Sequence, residues 1–389
     1  MRLTALLPPL LADPTIDDLV EAAGSRSRTD RTVVVAPGAR PAVLAAMSLG
    51  ASGIARATGA AVPHSSDPVD SAPTSRGEGT PLLVVTATGR EAEQTAAALS
   101  CYLPATDVAV FPAWETLPHE RLSPRADTVA TRLAVLRRLA HPEDGWDAGD
   151  RPTGAVPSGV PDAASSGVPD AASSGAPDPQ RGPIRVLVVP VRALLAPVVD
   201  GLGELEPVHL AKGLEVGLES TAERLAAAAY TRVDMVENRG EFAVRGGILD
   251  VFPPTLARPV RVDFFGDEIE SVSTFAVADQ RTIEEIDAVT ATACREIVLT
   301  DAVRKRARAL VDVIPGAADM LGKIAEGINC EGMESLAPVL VERMVPLLDL
   351  VGDRLVVGLE PERLRKRAED LVATTAEFLA AAWTSAASG

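Results

Sequence analysis

Short, wholly apolar runs alternate with longer segments of helical period through the first half of the chain. Thr32–Ala36, Leu82–Val85, Val108–Phe111 and Val186–Val189 read as buried strands. Arg40–Thr58, Arg90–Ser100 and Ala126–Leu139 read as the helices between them, which predicts a parallel α/β sheet. A shorter helix precedes the first run, with Thr15 as N-cap and Asp17 and Asp18 in its first turn, where acid is favoured. Along Ala126–Leu139 the apolar face takes Leu133, Leu136 and Leu139, and Arg132, Arg137 and Arg138 fall on the polar face. Residues 111–124, FPAWETLPHERLSP, form a proline-punctuated connector with Trp114 as its anchor.

After Glu206 the pattern changes. A helix is expected over Ser220–Ala229 with the serine as cap, and short strands and glycines then dominate to about Ala291. From Thr300 onward helices return, over 301–312, 334–348 and 361–382, with one strand at Leu355–Val357.

The densest block of strand and turn residues is Tyr230–Phe265. In EFAVR, strand alternation puts Phe242 and Val244 on one face and Glu241, Ala243 and Arg245 on the other. Gly246–Gly247 permits a bulge or a change of direction. ILDVF follows and is closed by Pro253–Pro254. Next, Val260, Val262 and Phe264 share one face, and Arg261, Asp263 and Phe265 the opposite one. Gly266–Asp267 is a two-residue hairpin turn into Glu268–Thr274. The polar face therefore carries two arginines and an aromatic, the composition of an interface hot spot. The pattern equally allows Arg261 to pair with Asp263 or a neighbouring-strand glutamate while Phe265 tucks under the hairpin.

Composition narrows the function classes. Of 389 residues, 47% are apolar and 23% charged, as in a soluble globular protein long enough for two or three cores. A net charge of −17 opposes binding of nucleic acid by the chain alone. Cys101, Cys294 and Cys330 are scattered and form no CxxC pair, so neither a disulfide framework nor a zinc site is indicated, and a reducing cytoplasm is the natural setting. The opening MRLTALLPPLLADP is too short and too proline-broken for a membrane span. From His141 to Pro183 the chain collapses to Pro, Gly, Ser, Ala and Asp, with SGVPDAAS occurring twice. That stretch cannot bury enough apolar surface to offset its ordering entropy and is expected to be a disordered insertion in a loop. The closing SAASG resembles a linker, which suggests the front part of a longer protein.

No catalytic residue emerges. The first strand-to-helix turn, VVVAPGARPAV, has one glycine, Gly38, and no Lys-Ser/Thr, where a phosphate-binding loop needs GxxxxGK[ST]. Arg40 is its sole anion candidate. Gly322–Lys323 is followed by Ile324, and Val186–Val189 runs into Pro190 instead of a magnesium-holding Asp-Glu pair. His64, His119, His141 and His209 share no metal spacing, Glu115 and Glu120 merely flank His119, and Gly201–Gly203 is too short for a dinucleotide fingerprint. The basic runs Arg304–Arg308 and Arg363–Arg367 sit on helices among acids and read as solvated faces.

WETLPHERLSP at 114–124, RGEFAVRGGILDVFPP at 239–254, VRVDFFGDEIESV at 260–272, DQRT at 279–282 and EGMES at 331–335 closely resemble the N-terminal part of the bacterial transcription-repair coupling factors, a region similar to the excision-repair protein UvrB. The resemblance implies a degenerate, RecA-like helicase fold split in sequence, over 1–140 with 184–206, interrupted by the 141–183 insertion. It implies a small α+β UvrA-binding domain at 207–292 and a helix-rich part at 293–389 packing on the first. The family's UvrA contacts map onto Arg245, Arg261 and Phe265. The implied role is recruitment of UvrA to RNA polymerase stalled at a DNA lesion, with no nucleotide hydrolysis and no cofactor in this segment. Full-length members add an RNA-polymerase-binding domain and a double-stranded DNA translocase using ATP and magnesium. The alternative is a UvrB-like nucleotide- or DNA-binding helicase fragment. UvrB has a working phosphate-binding loop and a tyrosine-rich hairpin, whereas this chain has only Tyr102 and Tyr230.

Overall fold

The computed structural model describes residues 3–25, 30–59, 79–117, 122–143 and 182–388. His64, His119, Glu120 and nearly all of the expected disordered insertion lie outside these residues. In chain order the strands are β1 (Leu82–Thr86), β2 (Val108–Val110), β3 (Val186–Pro190), β4 (Val198–Val199), β5 (Val208–Ala211), β6 (Thr231–Arg232), β7 (Glu241–Arg245), β8 (Ile248–Val251), β9 (Val260–Phe265), β10 (Glu268–Phe275), β11 (Thr282–Glu285), β12 (Ala288–Ala291), β13 (Met344–Val345) and β14 (Leu355–Gly358).

β14, β1, β3 and β2 form a parallel sheet in that order. Leu82–Val85 and Val186–Val189 in its two central strands are apolar at every position because helices cover both faces. Leu83, Val85, Leu187 and Val189 pack against Val129, Leu133 and Leu136 of the helix Ala126–Ala140. Leu82, Val84, Val186 and Val188 pack on the other side against Val43, Leu44 and Leu99 from the helices Arg40–Thr58 and Gly89–Leu99. The latter helix starts on a capping box between Thr88 and Glu91. The closing strand β14 and the helix Pro361–Ser388 return to this sheet, with Leu355 and Val357 on one face and Leu364 on the other. The chain is thus an α/β core with a separate β-rich region inserted between β3 and β14.

Several sequence expectations change. Thr32–Ala36 forms no strand, and Val34 is 98% exposed. The place beside β1 is filled instead by β14, paired in register over four residues. Asp13, not Thr15, caps the first long helix, its carboxylate accepting from the Thr15 N–H with Pro14 at the first helical position. The helix expected from Ser220 starts at Leu218, and the Ser220 hydroxyl donates back to the Gly217 carbonyl. The helix expected over 334–348 is broken into Ala337–Leu340, β13 and Leu347–Leu350, because Pro338 and Pro346 fit only first turns and caps.

Arg132 and Arg138 are buried, contrary to their assignment to a polar face. Both are matched by acceptors. Arg138 donates to the carbonyls of Gly182, Thr106 and Pro183. Arg132 meets the buried Glu296 carboxylate at 2.5 Å, donates to the Pro112 carbonyl and stacks 4.1 Å from the Phe111 ring centre. Trp114 donates its indole N–H to the same Glu296, which makes it the anchor of its connector. Farther along that connector, Ser123 donates to Glu334, which Arg295 also engages at 2.7 Å. The sequence blocks at 114–124 and 331–335 therefore meet through Ser123 and Glu334.

Candidate functional site

The β-rich region is built on a six-stranded sheet in the order β11-β10-β9-β8-β7-β6, antiparallel except between β6 and β7. One face carries Phe242, Leu249, Val251, Val260, Val262, Ile269 and Val272 against Val208, Leu210, Leu225 and Tyr230. The strand alternation in the sequence places Phe242, Val260 and Val262 correctly, whereas Ile269 and Val272 share this face only through a bulge in β10. Two tight hairpins border the sheet's open end. Arg245 pairs with Ile248 across Gly246–Gly247, and Phe265 pairs with Glu268 across Gly266–Asp267. Gly246 has φ +61°, and a side chain on Gly247 would press on the Phe264 carbonyl at 3.0 Å, so both positions call for glycine.

The opposite face is not a plain solvent face. Ala243 and Phe275 lie on it, and with Val236 and Phe252 they form a second small core. Beside this core, the register brings Ala243, Asp250 and Arg261 side by side on β7, β8 and β9. Asp250 is wholly buried. Its carboxylate accepts from Arg245 Nη2 at 2.6 Å, Arg261 Nε at 2.7 Å and Arg261 Nη2 at 3.0 Å. Arg261 also donates to the Gln280 carbonyl at 3.2 Å and stacks 4.7 Å from the Phe275 ring centre. The hydrogen bonds that Arg261 donates to Asp250 hold its guanidinium above its ordinary pKa, outweighing the opposing effect of burial. Gln280 itself has φ +59° and donates its amide to the carbonyls of Val277 and Val236, so the DQRT block forms the turn that clamps Arg261.

The three sequence-derived candidates consequently differ in kind. The Phe265 residue is 79% exposed, which removes the alternative in which it tucks under the hairpin. The Arg245 side chain is 46% exposed and extends from the edge of the buried pair. The Arg261 side chain is 18% exposed and held by three partners, Asp250, Gln280 and Phe275. Its partner is Asp250 and not Asp263, whose carboxylate accepts from Ser271 instead. Sequence alternation found all three residues on one face but missed Asp250, because parity says which side a residue takes and not which residue lies beside it. Two guanidinium groups share one buried carboxylate next to an exposed aromatic ring.

The other candidates are occupied by internal contacts. Arg40 meets Glu360 at 2.9 Å, and Arg363 meets Glu91 at 2.7 Å, around a cleft of about 320 Å³ at the end of β1. Among the helical arginines, Arg306 donates to the Val341 carbonyl, Arg308 to the Ala325 carbonyl and Arg365 to Glu362. His141 contacts Glu204 at 2.8 Å and His209 contacts Thr290 at 3.2 Å. Among the described residues no group of three or more His, Cys, Asp or Glu could hold a metal ion, and no helix is long and apolar enough to cross a membrane.

Comparison with known proteins places residues 208–296 in the UvrB interaction domain family. The whole chain is 43% identical over 400 aligned residues to the transcription-repair-coupling factor of Mycobacterium bovis, of which it spans 27%. It is 32% identical over 277 residues to the factor of that name in Myxococcus xanthus, covering 67% of this chain and 20% of that protein. The Escherichia coli factor is 29% identical over 240 residues, covering 60% of this chain and 17% of that protein. The chain therefore corresponds to about a quarter of the length of the M. bovis relative.

Proposed function

The chain belongs to the transcription-repair coupling factor family as an N-terminal, UvrB-like module, and on that premise we propose that its six-stranded sheet docks UvrA through Arg245, Arg261 and Phe265. The observation that carries this reading is the outer face itself. Within the matched domain, an exposed phenylalanine stands beside two arginines that share one buried carboxylate. Such a face has what a hot spot needs: a large apolar anchor and a directed cation on a rigid support. In this proposal the docked UvrA is delivered to RNA polymerase stalled at a DNA lesion. Contacts with polymerase and duplex DNA, and an ATP- and magnesium-dependent motor, belong to the remainder of the relatives' length.

The internal pairing of Arg40 and Arg363 with glutamates supports a reading in which this module acts by binding and not by hydrolysing nucleotide. The division into 1–140 with 184–206, 207–292 and 293–389 belongs to the same proposal, as does a cytoplasmic setting. The test is a titration of UvrA into the chain and its Arg245→Ala and Phe265→Ala variants. Each substitution is expected to weaken binding, and unchanged affinity in either would refute the assignment.

A further inference from the structure

The outer face of the six-stranded sheet holds a charged group that the docking reading does not use. Asp250 sits on β8, wholly buried, between strands that carry the two arginines. A buried carboxylate is expensive to retain unless every bond it accepts is well made. Here it accepts three, and they are unequally divided. Arg261 gives two, and its remaining surface is spent on Gln280 and Phe275. Arg245 gives one, through Nη2, and nearly half of its side chain stays open to solvent.

We propose that Asp250 is a positioning residue for the docking face: it neutralises Arg261, grips one edge of the Arg245 guanidinium, and so leaves the other edge of Arg245 as the cation that meets the partner. This rests on the reading that the face docks UvrA, and it specifies the partner's chemistry. The matching surface presents a carboxylate to the free edge of Arg245 and an apolar recess to Phe265. A planar guanidinium can serve two carboxylates at once through separate edges, which an ammonium cannot do with the same geometry. Fixing Arg245 beforehand also removes side-chain entropy that docking would otherwise have to overcome.

The experiment is a double-mutant cycle on the whole chain, with UvrA affinity measured for the parent, Arg245→Ala, Asp250→Asn and the double variant. Arg245→Lys is measured beside them. Asp250→Asn is expected to weaken UvrA about tenfold in the parent and less than about twofold in the Arg245→Ala background, since positioning is useful only while there is a guanidinium to position. Arg245→Lys is expected to lose most of what Arg245→Ala loses, although it keeps the charge. Additive effects of Asp250→Asn and Arg245→Ala would overturn the inference. So would parental affinity in Arg245→Lys, a result that stands even if Asp250→Asn does not fold. If Arg245→Ala itself leaves UvrA binding unchanged, the docking reading fails, which is a distinguishable outcome.

Discussion

Arg245 and Arg261 hold the same carboxylate, yet their removal should have very different consequences for stability. Arg261→Ala takes from Asp250 the bonds at 2.7 and 3.0 Å, and also removes the Gln280 contact and the stack on Phe275. Breaking a buried ion pair by deleting one partner costs about 3–5 kcal/mol, because the other charge is left uncompensated. Asp250 would keep its bond from Arg245, so the lower end applies, about 3 kcal/mol. Arg245→Ala leaves Asp250 with both Arg261 bonds, and the side chain removed is itself nearly half exposed, so its cost is below about 1 kcal/mol. With a urea dependence of about 2 kcal/mol per molar, the midpoint should fall by about 1.5 M for Arg261→Ala and by less than about 0.5 M for Arg245→Ala. Urea titration followed by circular dichroism, with hydrogen exchange over 241–275, reads this difference. Equal midpoints, or a larger loss for Arg245→Ala, would refute the reasoning. If the difference is found, lost UvrA binding in Arg261→Ala reports the support of the surface as much as a contact on it.

Three further outcomes are expected. Arg132→Ala should destabilise the chain by about 3–5 kcal/mol in the same urea assay, since it strands Glu296 in the core; a loss under about 1 kcal/mol would mean that water reaches Glu296. Burial pushes the Cys294 thiol from its usual 9.0 up to about 12 and raises Tyr230 in the same direction. Folded-state values above the unfolded ones give stability that is complete below about pH 9 and is lost as pH rises toward 12, with Cys294 contributing on the order of a few kcal/mol, so Cys294→Ala should flatten the alkaline fall in melting temperature. Magnesium and ATP should leave that temperature unchanged, because Arg40 and Arg363 are already paired. A bound ligand at a hundred times its dissociation constant would add about 2.7 kcal/mol, and such a rise would restore the nucleotide reading.

The parts of the fold that were legible in the sequence are those where burial is one-sided or complete. Leu82–Val85 and Val186–Val189 are apolar at every position because both faces are covered, and β7 to β9 alternate because one face packs on the domain core. Thr32–Ala36 has the same apolar character as β1 but no pairing, since composition does not say which strand takes the place beside another. Arg132 and Arg138 were misplaced for a related reason. Their burial depends on Glu296 and on backbone carbonyls 20 to 164 residues away, which no local period encodes. The candidate site shows the same boundary. Alternation puts Arg245, Arg261 and Phe265 on one face, and Gly266–Asp267 marks its hairpin, while Gly246–Gly247 reads only as a bulge or a change of direction. Asp250 needed the register, and the second core of Ala243, Phe252 and Phe275 needed the loops that fold over it.

The central claim is that this face binds UvrA, and isothermal titration of UvrA into the chain and its Phe265→Ala variant tests it most directly. Phe265 is exposed and makes no packing contribution to the sheet's core clusters, so its removal should leave the urea midpoint unchanged. The account predicts a loss of about 2 kcal/mol in binding, roughly thirtyfold in affinity. A variant that is equally stable and binds UvrA as tightly as the parent would contradict it.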